Sequence, residues 1–507
     1  MSTSTDEPLS LGRQLRRRKP IVFQHHHHMG EELARELSTF QLMMFGVGAT
    51  VGTGIFFVLG EAVPKAGPAV LVSFVIAGVA AGLSALCYAE LASAIPVSGS
   101  TYSYAYHAMG ELVAVVIAGC VLLEYGVAAG AVAVGWSGYF NELLQEVFGW
   151  QLPQALSVSP IPGSDGEPTG GLINLPAVVL VFLCMLLLLR GASESARLNS
   201  IMVMIKLGVL VLFCIIGFTA FDADHFSGFF AAGAAGVSAA AGTIFFSFIG
   251  LDAVATAGEE VKDPQRALPR AIIGALMIVT TIYIAVAAAG LAAKPVSFFE
   301  DSDNAEAGLA LILKEITGNE VWSTILAAGA VISIFSVTLV TLYGQTRVLF
   351  AIGRDGLIPR RFLHVSPKTM TPVFNTVIVA IIVALIGGFI PSDYLWDTVS
   401  IGTLMAFSVV AIGIIILRRT HPDLERPFKI PGYPVTPILT VAACLYIMWG
   451  LAAITWVIFL SWLALVLLVY FLYGRRHATL NTYRDPEEIA EPRGRRADFD
   501  DSDEINA

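Results

Sequence analysis

Charge is scarce in this sequence. Asp, Glu, Lys and Arg make up 14% of its 507 residues, where a soluble domain carries roughly 25%. With 56% hydrophobic residues and a mean hydropathy of +0.73, this excludes an ordinary soluble fold and points to an all-α polytopic membrane protein. Cysteine is scarce too. The five (Cys87, Cys120, Cys184, Cys214, Cys444) fall in apolar runs at unpaired spacings, which excludes a disulfide framework or a zinc pattern. A cleavable leader is lacking. Met1 to Gln24 is polar, then basic, with no apolar core of about 7–15 residues, so the first span is expected to act as the targeting signal. Walker A, HExxH and GxSxG motifs are missing, so an ATP-driven pump or a membrane enzyme lacks its chemistry. No cofactor, metal or nucleic-acid partner is expected. His25–His28 is read as solvated chain, with metal binding as the alternative.

What is present is a succession of apolar runs long enough to cross a bilayer. They lie near 38–60, 68–95, 111–141, 172–190, 197–220, 235–257, 270–293, 321–350, 373–390, 395–417, 434–456 and 457–474. These twelve spans give a cytoplasmic segment 1–37, a core 38–430 (spans 1–10), two further spans in 431–474, and a tail 475–507. The acidic stretch Asp485 to Glu504 supplies much of the net charge of −10 and reads as solvated and disordered. With both termini inside, the outer loops hold only Lys65, Lys294 and Lys314 of the 30 Lys and Arg. Lys206 is in a span and the other 26 lie inside, a strong positive-inside signal for the cell membrane. Glu31 to Leu37 reads as an amphipathic lead-in lying on the inner face. Arg347 and Asp355 are expected to form interfacial ion pairs and a cytoplasmic gate. Trp449, Trp456 and Trp462 suit interface anchoring or contact with a small accessory subunit or a second copy.

Lys206 sits in the apolar run Leu198 to Phe218, nine residues past Arg197, on the order of 13 Å into the bilayer at helical rise. A lysine there costs at least about 2.5 kcal/mol on insertion scales and by default marks a functional site. The ordinary alternative is a lysine that snorkels to the interface.

Two spans are poor continuous helices. The first reads Gly46-Val47-Gly48-Ala49-Thr50-Val51-Gly52-Thr53-Gly54, and the sixth reads Phe246-Ser247-Phe248-Ile249-Gly250-Leu251-Asp252. Each opens one half of a five-span unit, and interrupted helices at matching positions of two halves point to a transporter site. Free N–H groups near Thr53 and Gly54 suit a carboxylate. Free carbonyls near Thr50, Phe246 and Ile249 suit an ammonium. Together they make a receptor for an α-amino acid. Close helix packing is the alternative use of the glycines.

At these residues the chain resembles the amino acid–polyamine–organocation superfamily of permeases, and within it the bacterial relatives of the cationic amino acid transporters. The resemblance is carried by Gly46 to Phe56, Cys87-Tyr88-Ala89-Glu90 with Pro96 to Tyr102, Phe246 to Asp252 with Thr256 to Pro269, and Tyr343 to Arg347 with Arg354 to Pro359, in that order. It implies a LeuT-type 5+5 inverted repeat with helices 1 and 6 broken. It gives substrate binding to Thr50, Gly52, Thr53, Gly54, Phe246, Ser247 and Ile249, with Phe246 as an aromatic lid. Lys206 matches the position where proton-coupled members carry a lysine in place of a coupling sodium ion. Burial penalises its charged form, so its charge can respond to the proton and to site occupancy. Ser333 and Ser336 are its candidate partners on span 8. Thr341 falls on the side-chain wall of the pocket, where threonine, with Gly126 and Ala129, leaves room for a medium-sized or cationic amino acid. Glu124 can receive a cationic side chain or join the proton path. Its alternative is a protonated glutamate bonded to a neighbouring helix. The expected protein is a proton-coupled amino acid importer working by alternating access. An amino acid or amine exchanger and a non-transporting amino acid sensor are the rivals.

Overall fold

A computed structural model describes residues 11–20, 35–162, 169–300, 308–391, 393–449 and 453–481. His25–His28 and the acidic tail lie outside these residues. The described chain is helical, with no β-strand.

The first apolar run forms two helices, α1 (Thr39–Thr50) and α2 (Thr53–Ala66), separated at Val51 and Gly52. Ser38 caps α1 in a reciprocal box with Gln41. Next come α3 (Val70–Ala94), the short α4 (Ser100–Ala108) and the long α5 (Glu111–Phe148). Glu111 suits the positive end of α5, and Gly149, at φ +65°, ends it in the left-handed conformation. Then follow α6 (Leu175–Leu188), α7 (Ala192–Thr219) and α8 (Gly233–Phe245).

After α8 the chain makes one 3₁₀ turn (Phe246–Phe248), then an irregular stretch and a single helical turn (Ala253–Thr256). This is the second break. It is followed by α9 (Pro264–Ala293), α10 (Gly308–Thr317), α11 (Glu320–Arg354), α12 (Val373–Phe389), α13 (Asp393–Thr420), α14 (Val435–Trp449) and α15 (Ala453–Val469). Asn319 caps α11 by accepting from Val321 N at 2.9 Å.

Among the described residues, seven helical stretches are long and apolar enough to cross a membrane, and four apolar helices are shorter. The protein is a multi-pass membrane protein. The expected boundary between the last two spans at 456/457 falls inside α15, which is continuous over Ala453–Val469.

The centre of the bundle is α5 packed along α11, with α3 against α9 and α1 against α7 and α9. Trp136 Nε1 donates to Val331 O at 3.0 Å, tying α5 to α11. Trp462 Nε1 donates to Gly119 O at 2.8 Å, tying α15 to α5. The outward sides of α14 and α15 carry exposed Leu445, Leu460 and Leu468, and Trp449 is 91% exposed. Such a surface suits lipid.

The first and last described segments, 11–20 and 475–481, meet at one face, the terminal face. Arg17 donates to Leu480 O at 2.8 Å and pairs with Glu111 at 3.1 Å, while Lys19 pairs with Asp355 at 2.5 Å. Of the expected lead-in, Glu31–Ala34 lie outside the described residues, Arg35 and Glu36 are exposed, and Leu37 is fully buried and bridges Val261 in parallel register. Arg347 is not interfacial; it is buried against Glu260 at 2.7 Å.

Candidate functional site

The two breaks meet at the centre of the bundle. Gly250 has φ +103°, and a Cβ there would lie 2.9 Å from the carbonyl oxygen of Ala49. Only glycine permits both the conformation and this approach. A Cβ on Gly54 would lie 2.7 Å from Ser247 Oγ, and one on Gly52 would lie 2.7 Å from Val337 Cγ2. The glycines therefore let α2, the second break and α11 close on one another.

Between them is a cavity of about 60 Å³. At the ~15 Å³ one water needs by this measure, it has room for about four waters, enough for the head group of a small solute. Thr50, Gly52, Gly54, Glu124, Ser247, Ile249 and Thr341 all line it. Seven of the nine residues expected to bind substrate are thus brought together. Thr53 and Phe246 are placed by their backbone, at the first residue of α2 and the first of the 3₁₀ turn; their side chains lie outside the described part of the structure. Gly52 gives α2 no side-chain cap, so the N–H groups at this helix start are available to an anion. The cavity's remaining walls include Tyr125, Ala128, Val132, Val337 and Val399, apolar apart from the tyrosine hydroxyl. Sequence reasoning did not single these out, since their place depends on how α5, α11 and α13 pack.

The polar atoms of the cavity are unevenly paired. The Glu124 carboxyl has the Thr403 hydroxyl on α13 beside it but no well-formed hydrogen bond in the protein, Ser247 Oγ has none, and both residues are buried. Thr341 Oγ1 donates to Val337 O in its own helix at 2.8 Å. The carbonyl of Thr50 is already engaged, since Tyr283 OH donates to it at 2.9 Å and to Ser247 O at 3.0 Å. A carbonyl accepts twice, so Thr50 keeps one lone pair for a ligand. Sequence reading missed Tyr283; a tyrosine in an apolar span carries no signal of its partner.

Lys206 stands behind the first break and is fully buried. Its Nζ donates to Gly48 O at 3.0 Å, to Val51 O at 2.5 Å and to Ser336 Oγ at 3.5 Å. Ser333 Oγ also donates to Val51 O, at 3.0 Å. Ser336 Oγ donates to Asn199 Oδ1 at 2.7 Å, and Asn199 Nδ2 reaches Met44 O at 3.0 Å. The lysine thus joins the loose carbonyls of the break to α11, with no snorkelling to a surface. Asn199 went unnoticed in the sequence. It packs against Gly48, where a Cβ would meet its Oδ1 at 2.8 Å.

On the terminal face, ion pairs close the bundle. Glu260 pairs with Arg347, and Glu259 pairs with Arg354 at 2.8 Å. Glu90 holds Arg418 at 2.6 Å and accepts from Ile430 N at 2.7 Å. Desolvation alone would push Glu259 up, but the Arg354 guanidinium and hydrogen bonds from Ser98 outweigh it and hold this carboxyl below its ordinary 4.5.

The sequence model of the amino acid permease family matches residues 37–480. The methylthioribose transporter of Bacillus subtilis (strain 168) is 42% identical over 466 residues, covering 92% of this chain and 99% of its own length. The branched-chain amino acid permease BcaP of the same organism is 43% identical over 451 residues, 89% of this chain and 95% of its own. The vacuolar cationic amino acid transporter 2 of Arabidopsis thaliana is 36% identical over 425 residues, 82% of this chain and 64% of its own.

Proposed function

We propose, from the premise that this chain belongs to the amino acid permease family, that it imports amino acids across the cell membrane as a proton symporter. In this reading residues 38–430 form the LeuT-type core of two inverted repeats, spans 11 and 12 flank it, and the face bearing both termini is cytoplasmic. The carrying observation is Lys206, whose ammonium donates to Gly48 and Val51 at the first break and to Ser336 on α11. Protonated, it stands in for a coupling cation and bridges the break to α11, favouring the outward-facing state. Neutral, it loses one of its three N–H donors and the charge assistance of the other two, and lets the break move.

The α-carboxylate is received by the N–H groups at the start of α2, near Thr53 and Gly54. The α-ammonium is received by carbonyls of the breaks, including the lone pair left on Thr50. The side chain points to Glu124 and Thr341. A buried carboxyl with no well-formed hydrogen bond favours a donor-bearing side chain, so a medium-sized or cationic amino acid is the favoured substrate. The same acceptors suit hydroxyl donors. The methylthioribose transporter is a near-full-length relative, which makes methylthioribose the second substrate reading.

The test is uptake in proteoliposomes under an imposed pH gradient. Lys206→Met should abolish uphill accumulation; accumulation that persists unchanged would overturn the proton role. A thermal-shift panel of the twenty amino acids and methylthioribose on purified protein identifies the substrate. Loss of arginine or lysine binding, but not leucine binding, in Glu124→Gln is the outcome expected of a cationic side-chain site.

A further inference from the structure

Several buried hydroxyls between the second break and the terminal face serve neither the cavity nor the ion pairs. Asp252 ends the irregular stretch of the second break and is 2% exposed. Its Oδ2 accepts from Tyr125 OH at 2.5 Å, and its Oδ1 has no partner in the protein. A second cavity, about 10 Å³, lies beside it, bounded by Tyr88, Phe248, Ile272 and Phe407 among others. That is close to the ~10 Å³ that a single water needs.

Tyr88 leads away from this cavity. Its hydroxyl is 2.6 Å from Thr101 Oγ1 on α4. On the same short helix, Tyr104 OH and Ser100 Oγ are buried without a partner in the protein, and just before it Ser98 faces Glu259. Ser98 N then donates to Glu259 Oε1 at 2.8 Å. Glu259 and its partner Arg354 have side chains 20% and 31% exposed at the terminal face. Unpaired buried hydroxyls are rare and each calls for a reason. Here they sit on one short segment, 98–104, which meets Tyr88 at Thr101 and Glu259 at Ser98 N.

We propose that Asp252, one water in the small cavity, Tyr88, Thr101 and the hydroxyls of Ser98, Ser100 and Tyr104 form the relay that carries the coupling proton to the terminal face. The inference rests on the proton-symport reading above. A proton on the Asp252 carboxyl passes to the water, which gives one of its own to the Tyr88 oxygen as Tyr88 gives its proton to Thr101. Each hydroxyl ends with one proton, Asp252 ends as a carboxylate, and one proton leaves at the rim. The groups that face Asp252 are Glu124 and Tyr125 from α5, Tyr88 from α3 and Tyr104 from α4. A charge on Glu124 opposes one on Asp252, so occupancy of the substrate cavity is felt at the relay's head.

The experiment uses full-length protein in proteoliposomes with a pH dye inside and radiolabelled leucine and arginine. Tyr88→Phe and Thr101→Val should slow substrate-driven proton entry on the order of tenfold or more, while counterflow exchange of the same amino acids, which moves no net proton, stays within about twofold of the wild type. Tyr104→Phe removes an oxygen that bonds nothing in the protein, so it tests the relay with little risk to folding. Proton entry at the wild-type rate in all three variants would overturn the relay. A wild type that exchanges amino acids yet moves no protons is a different result; it removes the symport reading and the relay with it.

Discussion

The hydroxyl of Tyr283 on α9 lies 2.9 Å from the carbonyl oxygen of Thr50 and 3.0 Å from that of Ser247. One proton is thus shared between the two breaks, which otherwise have no covalent or helical tie to each other. Phe74 and Phe248 pack edge-on against the same ring, which is fully buried. Tyr283→Phe keeps the ring and removes the shared donor. Leaving buried carbonyls short of a donor costs about 1–3 kcal/mol. A lowered Tm is expected, together with a raised KM for substrate, because the breaks that receive the substrate's charged groups lose their common anchor. A variant with wild-type KM would show that Tyr283 supports the fold alone.

Glu260 and Arg347 make the second prediction. Arg347 Nε donates to Glu260 Oε1 at 2.7 Å, Tyr343 OH donates to the same oxygen at 2.7 Å, and the guanidinium sits 3.8 Å from the Tyr343 ring centre. Both charges are buried. The pair joins the segment after the second break to α11. Removing one partner of a buried pair costs about 3–5 kcal/mol, whereas replacing both with apolar residues is often near neutral. Arg347→Met and Glu260→Leu should each lower thermal stability sharply, and the double variant should recover much of it. Losses that simply add in the double variant would mean the two charges do not act as a pair. Function is expected to separate from stability here. If the proposed alternating-access cycle parts α11 from the segment after the second break, the double variant, stable but without its bond, should leak toward the open state.

Much of this was legible in the residues. Apolar run length located most helices, and glycine density located the break at Val51 and Gly52. One lysine in an apolar run marked a buried charge at the break; of the two serines that the resemblance offered as its partners, Ser336 meets it and Ser333 meets Val51 O instead. The rest needed tertiary packing. Tyr283 and Asn199 sit in helices whose sequences look ordinary; their importance lies in the carbonyls they happen to meet. Helix α4, Ser100–Ala108, is polar and tyrosine-rich and falls between the expected spans, because its stability comes from burial against α5 and α13. Arg347 looked interfacial because it lies near a cluster of basic residues, and position along a helix does not reveal which neighbour covers it. The expected boundary at 456/457 falls inside α15 because the sequence is apolar on both sides of it, so hydropathy alone has no edge there.

Glu259 gives a prediction about pH. Its pairing with Arg354 ties the segment after the second break to the end of α11, and its carboxyl is held below the ordinary 4.5. A group whose folded value is depressed contributes stability that is present above the unfolded value and is lost as pH falls through the folded one. This bond is therefore complete at neutral pH and weakens only below about pH 4.5. It cannot be the element that makes transport depend on pH in the working range. Glu259→Gln should loosen closure of the terminal face and change the maximal rate, yet leave the shape of the uptake profile between about pH 5.5 and 7.5 unaltered. Lys206→Met, by contrast, should flatten that profile, since its ammonium is the charge beside the break. Uptake of labelled amino acid against external pH in both variants separates the two roles. A profile displaced in Glu259→Gln and preserved in Lys206→Met would move proton sensing from the break to the terminal face.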